Sequence, residues 1–158
     1  MTKEFNCRQI KAIIGLGNPH GKYEKTFHNV GFLFVDFALK NRFDGKIFKS
    51  DAFMNESGLY VRKTIGKLGL SPEEILIVHD DSDLKLGGYK LSFGRGSAGH
   101  KGVESIIKTL KTKNFWRLRI GIRKLAEIKA VELVLKNLSA HDKKKLTEVF
   151  ESAAQRLT

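Results

Sequence analysis

Apolar positions along the chain recur with two different periods, and the places where the period changes mark the elements. Lys11-Ala12-Ile13-Ile14-Gly15-Leu16 is a short β-branched run broken by Gly17-Asn18-Pro19, which predicts a buried strand and its turn. Val30, Leu33, Phe34, Phe37 and Ala38 follow at helical spacing and predict an amphipathic helix reaching Lys40. Val61, Ile65 and Leu68 predict a second helix, capped by Asn55 or Ser57 and stopped by Gly69. Ser71-Pro72-Glu73-Glu74 predicts a turn of short helical character. Ile75-Leu76-Ile77-Val78 is apolar throughout, the pattern of a strand buried on both faces of a parallel sheet. Asp80, just beyond it, is expected at the lip of that sheet, where open α/β folds bind ligands.

The remaining elements alternate in the same way. Tyr89–Phe93 reads as a half-exposed strand, and Val103, Ile106, Ile107 and Leu110 as the inner face of a helix. Trp116–Arg123 alternates as an interior strand. Two further helices are predicted, one with face Val131, Val134, Leu135 and Leu138, the other with Leu146, Val149, Phe150, Ala153 and Leu157. Arg42 to Ala52 leaves room for a loop or one extended strand. Strands interleaved with helices predict an α/β fold, a three-layer α/β/α sandwich around a mixed, largely parallel sheet. No repeat, low-complexity tract or linker divides the chain, so residues 1–158 are read as one domain.

Composition adds a partner to this picture. The net charge is +12, and the stretch Leu84–Lys124 holds eleven Lys/Arg residues against one acid, Glu104. Clustered positive charge attracts a polyanion by releasing its condensed counterions, so a nucleic acid is the expected partner. No apolar run approaches the about 20 residues needed to span a membrane. Met1–Asn6 lacks the apolar core of a secretory signal, and the single cysteine, Cys7, leaves no disulfide framework. A cytoplasmic protein is expected.

Several chemistries fail on spacing. Gly15-x-Gly17 lacks a third glycine at the dinucleotide-binding position, Gly21 falling one place late, and Asp36 is too near to be a ribose acid. A P-loop fails because Tyr23 stands after Lys22 where a hydroxyl residue is required. Arg95-Gly96-Ser97-Ala98-Gly99 has arginine in place of the first glycine of a serine nucleophile turn. His79, Asp80, Asp81 and Asp83 resemble a metal cluster, yet no second group shows ligand spacing, and Asp81 and Asp83 read as solvated turn residues. No metal and no cofactor are expected.

A histidine at the start of a helix, such as His28, is ordinarily structural. Asn18, Asn55 and Asp80, all expected at loops around the same sheet end, give it another reading. A carboxylate that accepts from one imidazole nitrogen fixes the tautomer and leaves the other nitrogen to take a proton from water. Carboxamides supply donors for a developing oxyanion without adding charge. His28 as base, Asp80 as its orienter, and Asn18 and Asn55 as positioning amides suit water attack on an ester.

The clusters Gly15-Leu16-Gly17-Asn18-Pro19, Tyr23…Thr26-x-His28-Asn29-x-Gly31, Phe53-Met54-Asn55-x-Ser57-Gly58, His79-Asp80-Asp81-x-Asp83, Gly96-Ser97-Ala98-Gly99-His100 and Phe115-x-Arg117-Leu118-Arg119-Ile120-Gly121-Ile122 occur in one order. In that order they resemble bacterial-type peptidyl-tRNA hydrolase, over roughly residues 11 to 138. The resemblance implies a cytoplasmic monomer, without an obligate protein partner, that cleaves the ester between a peptide and the 3′-terminal ribose of tRNA. It places His28, Asp80 and Asn18 in catalysis, and Asn55, Tyr23, Met54, Lys101 and His100 around the substrate. It gives the tRNA 5′-phosphate to Arg119, with Lys90 on the neighbouring strand and Arg95 nearby.

The chain departs from that family in places. Lys101 stands where an asparagine is usual, and if it points at His28 it should lower that imidazole's pKa. Ser92 replaces a phosphate-clamping lysine, so Lys90 or Arg95 is expected to substitute. The segment 41–52 is short by a strand pair, and the C-terminus stops early. Two other functions fit parts of the sequence. A non-catalytic RNA-binding relative would keep the basic stretch without needing His28, and a small-molecule ester or amide hydrolase would use the same base with little sensitivity to salt.

Overall fold

Ala12–Gly15, four buried residues in a row, can form a strand only where both faces are covered, and it becomes the second strand of the sheet, β1. The computed structural model describes residues 2–41, 45–124 and 128–158. The other strands are β2 (Lys46–Lys49), β3 (Ile75–Lys85), β4 (Tyr89–Phe93) and β5 (Trp116–Arg123). They lie in the order β2-β1-β3-β5-β4, parallel except for the antiparallel edge strand β4. The expected mixed, largely parallel α/β sheet is what the chain forms. Among the described residues, no helix is long and apolar enough to cross a membrane.

Period-2 alternation divides the strand side chains between two apolar cores. Ile13, Leu76, Val78, Leu118 and Ile120 pack against α1 (Val30–Lys40) and α5 (Ala140–Arg156). Ala12, Ile14, Ile75 and Ile77 pack against α2 (Ser57–Leu68) and α3 (Lys101–Leu110). Helices thus cover both faces, which is why β1 and the start of β3 read as unbroken apolar runs.

Three expectations need correction. β3 does not stop at Val78 but runs to Lys85, because β5 continues to pair with it after β1 has ended. Asp81 and Asp83 are therefore strand residues, not turn residues, and Asp80 lies within the strand instead of just beyond it. The helix at 57–68 is entered through a 3-10 turn, Met54–Glu56; Asn55 and Ser57 do not cap it, and the Ser57 hydroxyl donates to Met54 O at 2.7 Å. Gly69 does end it, in the left-handed conformation. The first of the two final helices shrinks to α4 (Ala130–Leu133), with Leu133 buried while Val131 and Leu135 face solvent. The Arg42–Ala52 region supplies one strand, β2, and its residues 42–44 lie outside the described part.

The approach of α1 to the sheet is set by glycine. A Cβ on Gly31 would collide with the backbone of Leu16 and with Val78 O, and one on Gly15 would collide with Gly31 O. The helix start therefore rests on the main chain of β1 and β3 directly. Gly31→Ala is expected to cost about 1–3 kcal/mol, the range for overfilling a packed site. Gly21→Ala, where nothing lies within 4 Å of an added Cβ, should stay within about 0.5 kcal/mol of the parent. Urea denaturation of both variants checks the contrast.

Candidate active site

β1 pairs with β3 only as far as Gly15 opposite Val78. Beyond that point β3 has a sheet partner on one side alone, and a crevice opens at the carboxyl end of β1. Asp80 sits there, paired in register with Ile120 and only 1% exposed. The expected lip of the sheet is thus the end of β1, not of β3.

His28 reaches the crevice from a 3-10 turn, Phe27–Asn29, that leads into α1. The turn is braced from far along the chain. His28 N–H donates to Val134 O at 2.8 Å, Phe27 N–H to Lys136 O at 3.2 Å, and Leu138 N–H to Lys25 O at 2.8 Å. The His28 ring is 2.9 Å from Asp80, Nδ1 to Oδ2, and its Nε2 has no hydrogen-bond partner among the described residues.

Asp80 has a second imidazole. His100 caps α3 through Nδ1, which accepts from the N–H groups of Gly102 (3.1 Å) and Val103 (3.2 Å). An Nδ1 that accepts leaves the proton on Nε2, which donates to Asp80 Oδ1 at 2.8 Å. His100, expected at the substrate, spends both ring nitrogens inside the protein. His28, Asp80 and His100 are also the one three-residue group among the described residues with metal-ligand atoms close together. Both imidazoles, however, turn an N–H toward the carboxylate, an arrangement of donors, not of lone pairs.

These contacts set the charges. Burial works against ionisation of Asp80, but electrostatic attraction and hydrogen bonds from the imidazoles of His100 and His28 hold its carboxyl well below the usual carboxylate range. For His28, burial lowers the pKa, yet the Asp80 charge and hydrogen bond outweigh it and the net shift is upward. The expected lowering by Lys101 does not occur. That residue is exposed at the first position of α3, and the nearby carboxylate controls the imidazole.

Asn18 is fixed by a neighbour that sequence reasoning missed. Asn29, 2% exposed, accepts from Asn18 N at 2.8 Å and donates to Asn18 O at 2.9 Å. The Asn18 side chain in turn accepts from Met54 N at 2.8 Å, tying the loop after β1 to the loop after β2. Its Nδ2 is left as a donor. Asn55 is exposed next to Met54, whereas Met54 itself is 4% exposed and has little surface to offer.

A cavity of about 640 Å³ is lined by His28, Asp80, His100, Lys101, Arg95 and Arg119, among others. Asn18, Tyr23, Met54, Asn55 and Lys90 do not line it. Arg119 is not a free surface cation. It is 7% exposed, with Nε on Asp81 Oδ2 at 2.7 Å and Nη1 on Ser92 Oγ at 3.1 Å. Asp81, read from sequence as solvated, is its counter-ion. Lys90 lies opposite Arg119 in register and is exposed, as is Arg95.

A family model described as peptidyl-tRNA hydrolase matches residues 12–158. The peptidyl-tRNA hydrolase of Aquifex aeolicus is 40% identical over 167 aligned residues, covering 92% of this chain and 87% of its own. That of Thermodesulfovibrio yellowstonii is 38% identical over 165, covering 91% and 88%. The crystal structure of the peptidyl-tRNA hydrolase from Acinetobacter baumannii matches with a TM-score of 0.85 and 27% identity, covering 98% of this chain and 89% of that one.

The His28 titration is open to direct measurement. In the parent protein its midpoint by proton NMR should lie above the ordinary 6.5. In Asp80→Asn, where burial remains and the charge is gone, it should fall below that value. The sign also fixes a stability effect: the His28–Asp80 attraction is fully present below the unfolded imidazole pKa and fades as pH rises through the raised one.

Proposed function

The chain belongs to the peptidyl-tRNA hydrolase family and hydrolyses the ester of peptidyl-tRNA, and we propose that His28 is the base that activates water for that cleavage. One observation carries the assignment: Asp80 Oδ2 holds His28 Nδ1 at 2.9 Å, while Nε2 is left without a partner among the described residues. Nε2 takes a proton from water, and the hydroxide adds to the carbonyl carbon that joins the peptide to the ribose. The tetrahedral intermediate collapses by breaking the bond to the ribose 3′ oxygen, which recovers the proton from the imidazolium. Asp80 stays ionised throughout and keeps the ring in the tautomer that accepts at Nε2.

Asn18 Nδ2 and the Lys101 ammonium are the donors for the developing oxyanion, the first because its amide oxygen is already committed to Met54 N. Asn55 and Tyr23, at the neighbouring loops, hold the peptide end. His100 acts on substrate only through Asp80. For the tRNA, Arg119 offers Nη2, its other nitrogens being held by Asp81 and Ser92. Lys90 and Arg95 take adjoining phosphates, the task left open where Ser92 stands. The same reading has the chain act as a monomer in the cytoplasm, where peptidyl-tRNA is made. The family match favours this reading over RNA binding without catalysis.

Release of tRNA from an N-acetylated aminoacyl-tRNA tests it. His28→Ala should lose about 10²–10⁴-fold in kcat, the range for removing a general base, with tRNA binding retained. Turnover undiminished by that substitution sinks the assignment. The parent's rate should fall as pH is lowered through the raised His28 pKa, because only the neutral imidazole accepts a proton. Raising salt from 50 to 200 mM, values chosen for a roughly fourfold span, should raise KM steeply, since phosphate contacts release counterions.

A further inference from the structure

A buried histidine, His79, and a buried arginine, Arg117, also line this cavity. Arg117 on β5 is 3% exposed, and its guanidinium makes no ion pair among the described residues. Its Nη2 donates to the carbonyls of Gly96 (2.8 Å) and Arg95 (3.3 Å), and its Nη1 lies 3.3 Å from His79 Nε2. The His79 ring places Nδ1 2.6 Å from the Asp80 carbonyl. A carbonyl only accepts, so Nδ1 carries the proton and Nε2 must be the acceptor for Arg117. Burial, together with His100 and Arg117, holds His79 well below its ordinary pKa and so neutral. Burial and the other arginines bring Arg117 down to about 10, still charged at neutral pH.

A guanidinium taken out of water costs several kcal/mol unless its donors are satisfied. Here those donors hold a loop that has few other ties. Residues 94–99 include positive φ at Gly94, Ala98 and Gly99. The loop's hydrogen bonds to Gly99 N–H (3.3 Å) and His100 N–H (3.0 Å) both start from Ser97, inside the same segment. The segment ends at His100, the second partner of Asp80. The three rings also lie in a row, tilted against one another: His79 is 4.6 Å from His100 between centroids, and His100 is 5.3 Å from His28.

We propose that Arg117, held by His79, is a positioning residue for the hydrolysis, anchoring the loop at residues 95–96 to the sheet so that His100 keeps its N–H on Asp80. The proposal rests on the His28–Asp80 reading. A carboxylate shared between two imidazoles gives less of its attraction to either. Freed from His100, Asp80 would bind the His28 imidazolium more tightly and leave less neutral base at a given pH.

The test uses Arg117→Met, Arg117→Lys and His79→Gln, each first shown to be folded by circular dichroism. Two readouts follow: the His28 NMR titration without substrate, and the pH profiles of kcat and of kcat/KM on N-acetylated aminoacyl-tRNA. Arg117→Met should raise the His28 midpoint by about half a unit or more, with the acidic limb of both profiles moving by the same amount. Arg117→Lys, which can still hold one carbonyl, should show a smaller shift. His100→Gln should reproduce the shift, and its combination with Arg117→Met should add nothing further. If Arg117→Met does not fold, Arg117→Lys and His79→Gln decide by the same readouts. A folded variant whose titration and profile coincide with the parent's overturns the proposal. Titration shifts of the expected sign with a catalytic rate indifferent to His28 would instead overturn the assignment of the base and leave the anchor standing.

Discussion

Burying a carboxylate costs several kcal/mol unless hydrogen-bond donors replace the water it loses, and Asp80, 1% exposed, is given two. One is on the turn that starts α1 and the other on the residue that starts α3, so a single charge fastens two helices from opposite faces of the sheet. The sheet itself makes room for it. β1 stops where β3 continues, and the carboxylate occupies the step between them. Replacing the carboxylate by a carboxamide would leave one of the two N–H groups facing a donor, so the anchor of one helix start is lost with the charge.

The apolar pattern made the strands, the long helices and the layer order legible. Burial on both faces gives an unbroken run, as in Ile75–Val78, and burial on one face gives a period. Asp80 was located correctly at the carboxyl end of the strands from the same reasoning. Its strand was not, because Asp81 and Asp83 look like turn residues until Arg119 is seen to neutralise the first of them. The C-terminal helix face at 131–138 failed for a related reason. Val131 and Leu135 have helical spacing but open toward the cavity, so apolar character there does not mean core.

The candidate site was legible residue by residue, and its pairing was not. Nothing in the string of letters says that His100 turns inward onto Asp80 instead of outward, since a helix-capping nitrogen and a substrate-binding one look alike in sequence. The clamp of Asn29 on the main chain of Asn18 was equally invisible, being a contact across a turn made by a residue adjacent to the histidine. Alternation along β5 did put Arg117 and Arg119 on one face. Their burial follows only from the loop and the acid that come to cover them.

The main-chain bonds that brace the His28 turn come from Val134, Lys136 and Leu138, far downstream of it in the chain. On a ribosome the histidine emerges early and its brace late, so the order of synthesis separates the proposed base from the scaffold that aims it. A nascent copy of this enzyme is itself a peptide esterified to tRNA. Until residues 134–138 have cleared the exit tunnel it lacks the bonds that brace the His28 turn, and with them the geometry proposed for attack on such an ester, its own included.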